Sequence, residues 1–81
     1  MRMEILAAKG QLAVHGKTYR DLEMQAEGLL ILIRQTLSPY ESDVTQLRIG
    51  EAAAAMTRLN TIVGEMRVLK GQIAKIEADL G

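Results

Sequence analysis

The chain has 81 residues, enough for one small domain, and its ten basic and ten acidic side chains cancel. That balance removes the attraction that draws a protein to nucleic acid or to an anionic membrane, so nucleic acid is an unlikely partner. With no cysteine, disulfides and thiolate metal sites are excluded, and a reducing, cytoplasmic setting fits.

Phe and Trp are absent, and only Tyr19 and Tyr40 are aromatic, which leaves little to fill a globular core. Leucine and alanine are the commonest residues instead, with isoleucine and glutamate well represented, a composition suited to long helices. The longest run of large aliphatics, Leu29 to Ile33, is far too short to span a bilayer. Met1-Arg2-Met3-Glu4 opens no extended apolar region, so no signal peptide is expected.

From Ile5 onward apolar residues recur with a seven-residue period. One row is Ile5, Leu12, Tyr19, Ala26 and Ile33; the other is Ala8, His15, Leu22, Leu29 and Thr36. This three-four spacing predicts one helix from about residue 2 to about residue 37, with a stripe suited to another helix. Gly10, Gly16 and Gly28 each weaken it by about 1 kcal/mol. The weakest point is Gly16-Lys17-Thr18, but the stripe keeps its phase across it and favours continuity. Leu29-Leu30-Ile31-Leu32-Ile33 puts large aliphatics on every side, more than one partner arm can cover.

Ser38-Pro39-Tyr40-Glu41 reads as a reversal and a helix start. Ser38 and Glu41 have capping-box spacing, and Pro39 would occupy the first helical position. Proline also disfavours helical geometry at Ser38, so the first helix should end by Leu37. The turn is expected over residues 38–43, and the second helix from 39 or 44 to 80, because Asp43 with Gln46 offers a later cap. From Ala52 the repeat is unbroken through Ala55, Leu59, Ile62, Met66, Leu69, Ile73, Ile76 and Leu80, with Met56 and Val63 widening it. Tyr40, Val44 and Leu47 are out of phase with that run, which predicts a stutter near Arg48 to Glu51.

The expected fold is all-α: an antiparallel, coiled-coil-like two-helix hairpin that dimerises into a four-helix bundle. The candidate self-association residues are Leu12, Tyr19, Leu22, Leu29, Leu30, Ile31, Ile33, Leu59, Ile62, Met66, Leu69, Ile73 and Ile76. The partner is a second copy or another helical protein.

Chemistry is hard to find. His15 is the only histidine and no Glu-x-x-His pair exists, so no metal site is expected. The carboxylates are scattered and the glycines isolated, so neither a catalytic pair nor a phosphate loop nor any cofactor is expected. His15 lies on the seam, where it reads first as a partly exposed histidine hydrogen-bonded to a neighbour and otherwise as a pH-sensitive or register-setting polar residue. Lys9-Gly10-Gln11-Leu12-Ala13 and Lys70-Gly71-Gln72-Ile73-Ala74 nearly repeat each other and would meet at the open end of the hairpin. Lys9, Lys70 and Lys75 would then carry the rival reading, a small nucleic-acid-binding regulator with a basic patch formed on dimerisation. A last row, Gly50, Thr57, Gly64, Gly71 and Ala78, lies opposite the seam and is either exposed or a close-approach face.

Overall fold

A computed structural model describes residues 2–81; Met1 lies outside them. Helix α1 runs over Arg2–Thr36 and helix α2 over Ile49–Leu80, and α2 folds back along α1. Between them a single 3-10 turn spans Val44–Gln46. There is no strand among the described residues.

α1 is continuous through its three glycines, because the seam on either side holds it in one phase. Its end is set locally. The Thr36 hydroxyl donates to the Leu32 carbonyl at 2.6 Å, and the Leu37 N–H makes the last helical bond, to the Ile33 carbonyl, at 2.9 Å. Beyond it, Pro39 turns Ser38 away from helical geometry.

The Ser38-Pro39-Glu41 helix start does not form. α2 begins at Ile49, some ten residues later. The Glu41 N–H donates to the Ser38 carbonyl at 3.4 Å, which closes a turn with Pro39 in its second position. The Ser38 hydroxyl accepts from the Tyr40 N–H at 3.3 Å, and the Glu41 carboxylate accepts from the Asp43 N–H at 3.2 Å instead of reaching back to Ser38. Proline's fixed φ suits the second position of a turn as well as the first turn of a helix, so the motif itself is ambiguous. Phase decides between them. A helix from Pro39 would carry Tyr40, Val44 and Leu47 off the seam, and the chain leaves helical geometry there rather than stuttering. Tyr40 and Val44 stay exposed and Leu47 is half-buried.

Asp43 does cap, but it caps the 3-10 turn. Its carboxylate accepts from the Thr45 N–H at 3.0 Å and from the Thr45 hydroxyl at 2.7 Å. Those bonds, the hydroxyl's first, hold the Asp43 carboxyl below its ordinary pKa. α2 starts behind Arg48 with no side-chain cap; the Ala52 N–H donates to the Arg48 carbonyl at 3.1 Å, and an exposed Arg48–Glu51 ion pair at 3.7 Å flanks that first turn.

The seam rows turn inward as their spacing requires. Ala26, Ile33, Ala52, Ala55 and Ile62 are buried, and Ala8, Leu12, His15, Tyr19, Leu22, Leu29 and Thr36 are half-buried. On α2, Leu59, Met66, Leu69, Ile73, Ile76 and Leu80 are half-buried as well. Ile5 departs from its row and is exposed near the open end.

Two helices make a rod, not a globule. Its extents are 64 × 16 × 14 Å, and its radius of gyration is 18.4 Å, against about 12 Å for a compact chain of this length. The surface is 6478 Å², where a compact monomer of this mass would expose about 4,800 Å².

Candidate functional site: the two broad faces of the hairpin

The groove linings set the register. Leu29 and Leu32 share a groove with Ala54, Ala55 and Arg58 near the turn, and Gln11 and His15 share another with Gln72 and Ile76 at the open end. At that register Ala26 is level with Ile62 and Ile33 with Ala55, so a small residue meets a large one and the helices approach closely.

Coiled-coil lettering then separates the surfaces. Position a holds Leu12, Tyr19, Ala26 and Ile33 in α1, and Ala52, Leu59, Met66 and Ile73 in α2. Position d holds His15, Leu22 and Leu29, then Ala55, Ile62, Leu69 and Ile76. In an antiparallel pair, e and b residues of both helices share one broad face, g and c residues share the other, and f residues form the narrow edges.

In the turn half these faces differ in kind. The g/c face carries Gln25, Gln35, Glu51, Arg58 and Glu65 around Leu32 and Ala54. The e/b face carries Leu30, Leu37, Ile49, Ala53, Met56, Asn60 and Val63, with Glu23, Glu27 and Arg34 as its charges. Its large side chains are open to solvent: Leu30 is 41% exposed, Ile49 54% and Met56 53%. Contact between water and an apolar surface of this kind is unfavourable.

The candidate self-association residues therefore fall into two groups. Leu12, Tyr19, Leu22, Leu29 and Ile33 of α1, and Leu59, Ile62, Met66, Leu69, Ile73 and Ile76 of α2, line the seam between the chain's own two helices. Leu30 and Ile31 point away from it, and Ile31, 56% exposed, lies on the narrow edge of α1. Ile49 and Leu37 could not be found from periodicity, because the true start of α2 was needed to letter Ile49 and to place it beside Leu37.

The open end gathers mixed polarity. An open groove there is lined by Gln11, His15, Gln72, Lys75, Ile76 and Asp79. Lys75 and Asp79 fall on the g/c side, whereas Lys9 and Lys70 fall on the e/b side with Glu77, so the three lysines divide between opposite faces. At the turn, a depression of about 440 Å³ lies open beside Gln35, Glu41, Gln46 and Arg48. No group of three or more His, Asp or Glu residues is placed to hold a metal ion, among the described residues. No described helix is long and apolar enough to cross a membrane. The glycines of the row opposite the seam face open space: a methyl group built on Gly50, Gly64 or Gly71 would meet nothing within 4 Å.

Comparison with known proteins gives no match, whether to a family model, a curated protein or a solved structure.

Proposed function

We propose that this protein is a non-catalytic helical assembly module of the cytoplasm, acting by self-association into a four-helix bundle or by binding a helical partner protein. The observation that carries the proposal is the surface of the lone hairpin, about a third larger than a compact chain of its mass would expose. The excess is rich in large aliphatics around the turn half, where water contact is unfavourable. A second two-helix layer covers such a surface and converts the half-buried seam residues beneath it, Leu29 and Leu59 among them, into a core.

Light scattering over a dilution series is the test. The expected result is a mass of two chains at micromolar concentration. Leu30→Glu should shift the population to monomers while far-UV circular dichroism stays helical. Ile31→Glu, on the narrow edge, should leave the assembly in place. A wild-type chain that is monomeric at micromolar concentration, and captures no helical partner, overturns the proposal. Tight, salt-resistant and sequence-dependent nucleic-acid binding would put the regulator reading in its place, since nonspecific phosphate contacts weaken steeply with salt.

A further inference from the structure

Building on the self-association reading, we infer that the second copy docks on the e/b face of the turn half, antiparallel, with α1 lying across the partner's α1. Three observations converge on this arrangement.

The first is area. The hairpin exposes about 1,700 Å² more than a compact chain would; that excess belongs to the whole rod, so it argues for a second copy and leaves the choice of face to the other two. The second is the contrast of faces. In the turn half the e/b face exposes Leu30, Leu37, Ile49 and Met56, whereas Leu32 is the one large exposed aliphatic of the g/c face. Each face carries three charges there, so apolar area and not charge separates them.

The third is charge complementarity, and it selects the direction. Glu27 and Arg34 flank Leu30 in the same b row, three residues before it and four after. A two-fold axis crossing the face near Leu30 brings Glu27 beside the partner's Arg34, and symmetry repeats the pair. The same axis brings Met56 opposite the partner's Met56 and Ile49 opposite the partner's Val63. The alternative axis, along the hairpin, sets Arg20 against the partner's Arg67 and leaves Glu27 and Arg34 facing Asn60 and Ala53. Its one opposite-sign match, Lys9 with the partner's Glu77, lies at the open end away from the apolar patch, while Glu27 and Arg34 beside the patch go unpaired, so the antiparallel arrangement is favoured. In it the turn halves overlap and the open ends project in opposite directions.

Charge reversal tests the pairing. Glu27→Arg alone and Arg34→Glu alone each place like charges together twice, and each should weaken the dimer roughly tenfold or more. Mixed in equal amounts, the two variants should form a heterodimer of near wild-type affinity, because every facing pair is again opposite in sign. Circular dichroism on each variant confirms that the exposed substitutions leave the helices intact. Cysteine cross-linking gives an independent readout in a chain with no cysteine of its own. Oxidised Met56→Cys should form a covalent dimer, and Thr61→Cys on the opposite face should not. Reversal variants that stay dimeric, a mixture that fails to associate, or cross-linking through Thr61→Cys instead would each overturn the docking face while leaving self-association standing. A wild-type chain monomeric under all conditions would overturn self-association itself, which keeps the two failures apart.

Discussion

The turn half and the open half of this hairpin share one repeat but are packed differently. Among the described residues, all five buried ones, Ala26, Ile33, Ala52, Ala55 and Ile62, belong to the turn half, and three of them are alanines. The open half has the larger seam residues, Leu12, Tyr19, Leu69, Ile73 and Ile76, and every one remains half-exposed. Burial here follows what surrounds a residue, not how apolar it is. Alanines let two helix backbones come close, and close backbones shield what lies between them. Bulky residues on both helices project past the other helix, and a two-helix layer has nothing further to cover them.

The sharpest way to break that comparison is to remove the same side chain from each half. Ile62→Ala should cost about 2–4 kcal/mol, as buried Ile-to-Ala changes do. Ile76→Ala should cost about half as much, since part of its side chain already meets water. Urea denaturation at matched protein concentration measures both, because an associating chain gains stability with concentration. Equal losses would mean that the open half is packed as tightly as the turn half in the working assembly.

A smaller effect sharpens the contrast between seam and narrow edge. Gly64→Ala and Gly71→Ala should each stabilise the fold by up to about 1 kcal/mol, because alanine is the better helix former and the added methyl group meets nothing. Gly64→Gln should be tolerated with the assembly unchanged. Dissociation in Gly64→Gln with helicity retained would mark the α2 edge as a second contact surface.

The smallest effect concerns the start of α2. Arg48→Ser places serine three residues before Glu51, the capping-box spacing that Ser38 and Glu41 have without forming a box. It should stabilise the protein by about 0.5–1 kcal/mol, and the exposed Arg48–Glu51 pair it removes is worth little. Ser38→Ala should change stability by only a few tenths of a kcal/mol, because Ser38 accepts one long turn bond and caps no helix. Thermal denaturation of the two variants orders them. A larger loss at Ser38 than the gain at Arg48 would restore a helix start at Pro39.

How much of this was legible in the chain varies by element. The seam rows could be read because a seven-residue period is a local property: each residue's face follows from its number once the helix is granted. The course of α1 past Gly16 followed from the same period, which outweighs the intrinsic cost of three glycines. The connection could not be read. Ser38-Pro39-Tyr40-Glu41 satisfies a helix start and a turn equally well, and Asp43 suits a 3-10 turn as well as an α-helix. What separates these options is the phase that Ala52 and Ala55 must hold against Ile33, and that contact joins residues far apart in the chain.

The apolar face was only half visible for the same reason. The sequence alone determined that Leu30 and Ile31 have no seam position, since five large aliphatics in a row surround any helix. Only the tertiary structure decided that Leu30 and Leu37 stand beside Ile49 and Met56, while Ile31 lies with Met24 on the narrow edge. Periodicity orients a side chain about its own helix axis, whereas a shared surface also needs the position and direction of the second axis. Those come from where the connection ends and how closely the alanines let the helices pack.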